Sequence, residues 1–505
     1  MNASKRIIVN TVAQYGKSVI NILLSLYSTR LVLNALNVND YGIYSVVGGV
    51  VGILGYLTNS LVVTTQRYLS FYHGQGDIKK TQALFINSIL LHLLIGLIFV
   101  GILMLLEDFL INHFLNIDSC RLEAARLVYV ATVLMMFVTV ITAPFKALFI
   151  ARENIVYISS VEVCDGLLKL CLALSLFVIG FDKLMFYAYG MAIILVVNLL
   201  AYVVYAELKY KESHVIFSRR VVNRQYINQL LGFAGWTTYG MLAGMCQTQG
   251  LSIVFNKFFG TAINAAFGIG MQVNGAVRFV STSVLNAMNP QIMKAEGMGD
   301  RDKMLRLASK ESKFSTALML MISIPIIAEM PDILKFWLKI VPPHSVLFCR
   351  TLMLTFLFDQ FTMGLHSANQ AIGKIRSYSL LTYTPKIMII PLACFILLLN
   401  ESLLWVMVMY AATELMVSLF RIPFLHKTAG LNMREYLKSV VLPLIPIIVC
   451  EGSVCLLFVL GLDCPYRFLL TLAVACSAGI ASMYFFSLNN DERTFVTNFI
   501  KHPKR

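Results

Sequence analysis

Residues 74–80 read GQGDIKK, and residues 297–303 read GMGDRDK. These two similar polar septets, 223 positions apart, interrupt a chain that is 58% hydrophobic. A glycine in the left-handed conformation can end a helix, and an aspartate after it can cap the next helix. We therefore expect Gly74 and Gly297 to be left-handed caps, and Asp77 and Asp300 to be N-caps. The repetition predicts two related halves.

A phosphate-binding loop is the rival interpretation of the septets. A Walker loop requires GxxxxGK[ST], and a dinucleotide-binding fingerprint requires a third glycine after a strand. Neither septet contains these elements. A helix cap therefore explains the pattern better than a nucleotide site.

Composition places the chain among membrane proteins. Only 13% of its 505 residues are charged, about half the share in a typical soluble domain. The net charge of +15 would suit a nucleic-acid binder, but such proteins carry their basic patches on soluble modules. No Pro/Gly/Ser-rich linker sets off such a module, so we expect no nucleic-acid partner. The ten cysteines lack metal-ligand spacing, and we expect neither a metal nor a cofactor.

The apolar segments predict an all-α polytopic membrane protein. About 20 apolar residues are needed for one helix to cross a bilayer. By that measure the chain contains fourteen spans, at 8–33, 41–66, 82–106, 122–145, 154–180, 183–206, 228–255, 262–289, 313–330, 345–369, 376–399, 402–425, 438–461 and 466–487.

The septets follow spans 2 and 8, so six spans separate them and both lie on the same side. A weaker echo relates residues 147–159 to residues 368–381. We expect two six-helix lobes in the same orientation, a transporter arrangement. The predicted organisation is an N-lobe, a basic cytoplasmic linker, a C-lobe, and a final part with spans 13 and 14 and a basic cytoplasmic tail, at 1–210, 211–227, 228–427 and 428–505.

Basic residues predict the orientation. With a cytoplasmic N-terminus, 28 Lys/Arg lie in cytoplasmic segments and seven on the opposite side. Cytoplasmic loops of membrane proteins carry an excess of Lys and Arg. We therefore expect a bacterial inner-membrane protein with both termini in the cytoplasm.

Polar residues inside the spans point to a substrate cavity. A charge near the bilayer centre costs roughly 2.5–3.5 kcal/mol even on a mild scale, so it normally faces a partner or water. Lys17 in span 1 and Arg278 in span 8 are the deep cations that we assign to substrate. Residues at helical spacing or at similar depth complete the predicted binding set: Gln14, Asn21, Arg67, Gln247 and Asn274. Hydrogen bonding between packed helices is the alternative role for the uncharged members.

Intramembrane carboxylates are candidates for coupling to an ion gradient. Glu162, Asp165 and Lys169 share one face of span 5, where Asp165 and Lys169 can pair at i,i+4. This leaves Glu162 as the unpaired charge. A structural ion pair is the role that we favour for this face, and coupling to protons or sodium is the alternative. Asp359 and Glu414 lie at similar depth, and Lys386 could neutralise either of them.

The chain resembles the polysaccharide and O-antigen flippases of the multidrug/oligosaccharidyl-lipid/polysaccharide (MOP) exporter superfamily. The resemblance is carried by the first span and by four segments, LNALNVNDYGIYSVVGGVVGIL (33–54), QRYLSFYHGQGD (66–77), INAAFGIGMQV (263–273) and NPQIMKAEGMGD (289–300). Asn37 stands where the family typically has glycine. Asn34 stands where it often has a basic residue, which leaves Arg30, one turn earlier, as a weaker candidate ligand.

The resemblance implies two lobes in a V that alternate between inward and outward openings. It implies a polyprenyl pyrophosphate-linked oligosaccharide as substrate, membrane lipids as surroundings, and a polysaccharide polymerase or other biosynthesis proteins as candidate partners. A multidrug/cation antiporter of the same superfamily is the main alternative. A membrane enzyme is a third, but the outer loops are short and the intramembrane histidines lack a clear partner pattern, so we expect no enzyme activity.

Overall fold

The computed structural model describes residues 3–52, 55–114, 119–214, 223–338, 341–399, 402–462, 464, 466–490 and 492–494. These ranges are helical almost throughout and contain no strand. The α-helices are α1 (Ala3–Gly52), α2 (Gly55–Gly74), α3 (Ile78–Phe109), α4 (Leu122–Ala151), α5 (Ile155–Ser175), α6 (Lys183–Lys209), α7 (Arg224–Phe259), α8 (Thr261–Gly297), α9 (Arg301–Ala328), α10 (Met330–Leu338), α11 (Ser345–Gln360), α12 (Met363–Ile372), α13 (Ile375–Leu398), α14 (Leu403–Ala429), α15 (Met433–Tyr436), α16 (Ile445–Gly461) and α17 (Arg467–Ser482).

The predicted all-α polytopic membrane architecture is confirmed, and each predicted span overlaps at least one α-helix. Nine of the described helices are long and apolar enough to cross a bilayer, or ten if the bent pair α11–α12 counts as one span. The first two predicted spans, 8–33 and 41–66, are not separated by a loop. Helix α1 runs through the boundary between them, with a kink at Asn37, whose φ is 66°. Its ψ is 166°, so this conformation lies outside the left-handed helical region that asparagine tolerates, and glycine adopts it most readily.

The described chain divides into two compact units. Unit 1 comprises Met1–Met241 together with Met293–Gly299, and unit 2 comprises Leu242–Ile292 together with Asp300–Arg505. In unit 1, α4 is the central helix, because it packs against α2, α3, α6 and α1. In unit 2, α9 is the central helix, because it packs against α11, α12, α16 and α17.

Within each unit, one arginine joins separate segments by bonding to two carboxylates. In unit 1, Arg121 donates to Asp40 at 2.9 Å and to Asp182 at 2.7 Å. Burial raises the pKa of Asp182, but hydrogen bonds from Arg121 and from two backbone amides outweigh that effect and lower the pKa below its ordinary value. In unit 2, Arg467 bonds to Glu329 at 3.0 Å and to Asp332 at 2.8 Å.

The septets form the predicted turns, although their glycines have different roles. Asp77 and Asp300 each accept a hydrogen bond of 3.0 Å from the backbone amide three residues later. The amide and the ammonium of Lys80 lower the pKa of the Asp77 carboxyl. The left-handed residues are Gly76, with φ 72°, and Gly299, with φ 79°. The prediction that Gly74 and Gly297 are the left-handed caps is therefore wrong.

Gly74 and Gly297 instead allow the ends of α2 and α8 to touch within unit 1. A Cβ on Gly74 would overlap the carbonyl oxygen of Lys294 and lie 3.0 Å from its carbonyl carbon. A Cβ on Gly297 would overlap the carbonyl oxygen of Phe71 and lie 3.0 Å from the Phe71 Cα. The contact is reciprocal, because each glycine meets the residue three positions before the other. The repeated glycine thus serves close backbone packing.

Candidate functional site

Unit 1 contains a polar cavity of about 310 Å³ among α1, α2, α4, α5 and α6. Its charged lining residues are Lys146 from α4 and Glu162, Asp165 and Lys169 from α5. Asn21 and Asn198 add amides from α1 and α6. Apolar packing elsewhere on α4 and α5 holds these side chains at one place. The cavity therefore gathers charge from two helices that are distant in sequence from α1.

Glu162 is the centre of an ion-pair cluster. Its Oε2 lies 2.7 Å from the Nζ of Lys17, and its Oε1 lies 3.4 Å from the Nζ of Lys146. The prediction that Glu162 is an unpaired charge is wrong, because two lysines from other helices reach it. Lys17 is also not a free cation in this conformation, and its side chain is only 11% exposed.

Asp165 and Lys169 form the predicted pair within α5, at 2.7 Å. The Nδ2 of Asn198 donates to the other carboxylate oxygen of Asp165, also at 2.7 Å. Asn21 lines the same cavity, and its buried Oδ1 has no hydrogen-bond partner in the described structure. An acceptor left in this way can receive a hydrogen bond from a ligand or a water.

Lys17 reaches Glu162 but does not itself line the cavity, and three other predicted binding residues of unit 1 also lie apart from the lining. Gln14 is half-buried on α1, one turn before Lys17. Arg30 is exposed, more than two turns beyond Asn21. Arg67 is buried on α2, where its guanidinium lies 4.3 Å from the ring centre of Tyr68 and 5.1 Å from that of Phe233. Aromatic stacking at these distances stabilises a buried guanidinium.

Unit 2 has a second charged cluster, at the break between α11 and α12. The two helices are bent by 48°. Asp359, just before the break, pairs with Arg421 of α14 at 2.7 Å. Arg421 also donates to the Thr362 hydroxyl at 3.3 Å, so the break in the helix is lined by polar groups. Breaks of this type inside a membrane occur where the backbone borders a cavity or a site.

Glu414, also on α14, is the second carboxylate of this region. Lys386 of α13 donates to both of its oxygens, at 2.9 and 2.8 Å. Gln247 of α7 donates to Oε1 at 2.7 Å. Of the two partners that the sequence allowed for Lys386, the structure thus selects Glu414, and Asp359 is left to Arg421.

Arg278 of α8 is an exposed cation in unit 2. Its guanidinium lies 4.8 Å from the ring centre of Phe356, and the described residues include no acidic partner for it within 4.0 Å. Asn274, one turn earlier on α8, is buried, and its Oδ1 lacks a hydrogen-bond partner among the described residues. Arg278 and Asn274 therefore retain unused donor and acceptor capacity.

The likeness of this chain to known proteins lies in its structure. No family model matches the chain, and no curated protein matches it. Solved structures do match. An outward-facing multidrug resistance MATE family transporter of the MOP superfamily has a TM-score of 0.71 at 15% identity, covering 87% of this chain and 98% of that one. A mutant MATE has a TM-score of 0.73 at 15% identity, with the same coverage.

A third match is a MOP superfamily transporter from Pyrococcus furiosus. Its TM-score is 0.70 at 15% identity, covering 85% of this chain and 96% of that one. The chain has the fold of MATE transporters. At 15% identity the likeness concerns the fold, and the chemistry of this MATE-like chain depends on its own residues.

Within its MATE fold, the chain brings together residues that sequence reasoning had separated. Lys146 and Arg421 are absent from the predicted site, but they lie within α4 and α14 and pair with Glu162 and Asp359. Asn198 was not singled out. Glu311 was also missed. It is buried on α9 and accepts a hydrogen bond of 2.8 Å from Ser367. Each of these four residues is polar and lies inside an apolar helix, which is the signal that could have identified them.

The two clusters have the same balance of charge. In unit 1, Lys17, Lys146 and Lys169 face Glu162 and Asp165. In unit 2, Lys386 and Arg421 face Glu414 and Asp359, and Arg278 lies near enough to interact electrostatically with Asp359. Three cations and two carboxylates leave each cluster of the MATE-like chain with one surplus positive charge.

Proposed function

We propose that the protein is a transporter that moves polyprenyl pyrophosphate-linked oligosaccharides across the bacterial inner membrane by alternating access, with both termini in the cytoplasm. The observation that carries this proposal is the surplus positive charge of each intramembrane cluster. It supports an anionic substrate, because neutral or acidic clusters would suit a cation better.

Pyrophosphate chemistry accounts for the kinds of residue present. A pyrophosphate needs cations and hydrogen-bond donors in a site of low dielectric constant. The planar guanidinium of Arg278 can bond two phosphate oxygens at once, whereas the lysines act as point charges. The amides of Gln14, Asn21, Gln247 and Asn274 are suited to phosphate or sugar hydroxyls.

One of the structural matches links polarity to function. In the MOP superfamily transporter from Pyrococcus furiosus, reverse polarity of the binding pocket suggests a different function. Pocket polarity is therefore a reasonable criterion for the charge of this chain's substrate, and both of its clusters carry a net positive charge.

A multidrug/cation antiporter is the second candidate. Four carboxylates, Glu162, Asp165, Asp359 and Glu414, lie inside the helical units. If the substrate is anionic, these carboxylates are candidates for coupling to protons or sodium. If the substrate is a cationic drug, they become its ligands, once the paired lysines and arginines move away.

Reconstituted protein distinguishes these candidates. Purified protein in sealed vesicles would be assayed with a fluorescent polyprenyl pyrophosphate-linked oligosaccharide and, separately, with a lipophilic cationic dye. We expect movement of the lipid-linked sugar between leaflets and no accumulation of the dye. Dye transport driven by an imposed pH or sodium gradient, without movement of the sugar lipid, would reject the flippase proposal in favour of the antiporter.

Variants of the Lys17–Glu162 pair can show whether Lys17 binds the substrate or only neutralises the charge of Glu162. Lys17→Met removes both the ammonium and one partner of Glu162. The double variant Lys17→Met/Glu162→Gln removes the charges of both. If Lys17 binds the pyrophosphate, both variants should lose at least about tenfold in flipping rate, the effect of about 1.4 kcal/mol.

Restored flipping in the double variant would show instead that Lys17 serves only to neutralise Glu162. Arg126→Ala is the matched control, because Arg126 belongs to an exposed pair with Asp108 at 3.3 Å. Such surface pairs contribute little, so this variant should flip at the normal rate.

A further inference from the structure

Glu451 lies in α16, within the part of the chain beyond the twelve helices of the predicted repeats. Its side chain is fully buried, and neither carboxyl oxygen has a hydrogen-bond partner in the described structure. It packs against Gly479 of α17 so closely that a Cβ on Gly479 would overlap Oε1. The same imaginary Cβ would lie 2.9 Å from the side chain of Met321, on α9. Glu451 is thus enclosed where three helices meet.

The surroundings of Glu451 contain no compensating charge among the described residues. Among the described residues, two thiols interact electrostatically with Glu451: those of Cys455 on its own helix and of Cys476 on α17. The Cys476 thiol donates to the Met321 carbonyl. The short segments 442–444 and 483–487, which also touch α16, carry Tyr484 as their one ionisable residue.

Three charged residues on the neighbouring helices are bonded elsewhere. Lys313 on α9 pairs with Glu492 at 2.7 Å, and Glu311 on α9 accepts from Ser367. Arg467, the basic residue of α17, bonds to Glu329 and Asp332. Among the described residues, no cation forms a hydrogen bond with either carboxyl oxygen of Glu451.

An ionised carboxylate without partners is very unfavourable in such a place. A metal ion does not suit it either, since sodium, calcium and magnesium require several oxygen ligands, and Gly479, Met321, Cys455 and Cys476 have no side-chain oxygen. A proton requires only the carboxyl group itself. A neutral carboxylic acid can pack against glycine, methionine and cysteine at far smaller cost.

We propose that Glu451 is a proton-binding site, held as a neutral carboxylic acid between α9, α16 and α17. Release of the proton would leave a bare charge at the contact of the three helices, so water or a cation would have to enter between them. Binding of the proton to Glu451 is thereby coupled to the packing of α9, α16 and α17. This site is separate from the charged clusters of the proposed transport function, and it can exist whichever substrate is moved.

Infrared spectroscopy of the full-length protein in lipid nanodiscs tests the proposal. The spectrum at neutral pH should contain the carbonyl band of a protonated carboxylic acid that is lost in Glu451→Gln. Glu414→Gln is the matched control, because Glu414 is ion-paired with Lys386, and this variant should lose carboxylate bands instead. Loss of carboxylate bands in Glu451→Gln would overturn the proposal.

A second measurement uses the unaltered chain and does not depend on the folding of a variant. Dicyclohexylcarbodiimide dissolves in bilayers, and the O–H of a protonated carboxyl adds across its C=N bond to give an adduct that mass spectrometry can locate. We expect an adduct on Glu451 at neutral pH, with at least about tenfold less on the ion-paired Glu414. Modification of Glu414 in preference to Glu451 would overturn the proposal.

Discussion

Replacing Gly297 by alanine is expected to lower the free energy of unfolding by roughly 3 kcal/mol or more, at the upper end of the cost of overpacking. The added Cβ would overlap the carbonyl oxygen of Phe71. A backbone carbonyl at the end of a helix cannot turn away as a flexible side chain can, so α2 and α8 would have to separate. Thermal unfolding of the purified protein in detergent measures the effect. The fraction that stays folded at each temperature is the fraction that remains in the main size-exclusion peak.

Gly74→Ala should have a similar effect, because its Cβ would overlap the carbonyl oxygen of Lys294. Gly101→Ala on α3 is the matched control, since nothing lies within 4 Å of the position of its Cβ. In an open helix alanine is favoured over glycine by about 1 kcal/mol, so this variant should be as stable as the original protein or slightly more stable. Equal melting temperatures for Gly297→Ala and the original protein would contradict the packing role of the repeated glycine.

Replacing Arg278 by alanine is expected to reduce flipping of a lipid-linked oligosaccharide at least about a hundredfold, the equivalent of about 2.7 kcal/mol. Arg278 is exposed, stacks on Phe356 and has no acidic partner within 4.0 Å among the described residues. Its removal breaks no ion pair of the described structure, so the variant should insert and fold normally. Surface polysaccharide in cells and flipping in vesicles both measure the loss.

Arg278→Lys keeps the charge but lacks the planar fork of donors, so it should retain part of the activity. Normal flipping by Arg278→Ala would remove Arg278 from the substrate site. Loss of flipping together with reduced insertion would assign it to the fold, through its contact with Phe356.

Some residues were predictable because their roles depend on neighbours in sequence. The caps Asp77 and Asp300 bond to amides three residues away, and Asp165 pairs with Lys169 four residues away on the same helix. The positions of the helices follow in the same way, because apolar length decides whether a segment can cross a bilayer.

Other assignments failed because they depend on distant partners. Glu162 and Asp359 have no cation at helical spacing that could neutralise them, and their partners Lys146 and Arg421 come from other helices. Gly74 was expected to be the left-handed residue of its septet, but Gly76 has that conformation. The contact with Lys294, which requires the absence of a side chain at Gly74, leaves no local trace in the sequence.

An all-helical, multi-pass membrane protein with a repeated turn could be recognised from the amino-acid sequence, because hydropathy and helix capping act within one segment. The pairing of charges emerged only from the packed helices, which leave Arg278 available and neutralise Lys17. The energy of a buried charge depends on what lies within a few ångströms of it. In this protein those neighbours belong to helices tens to hundreds of residues away.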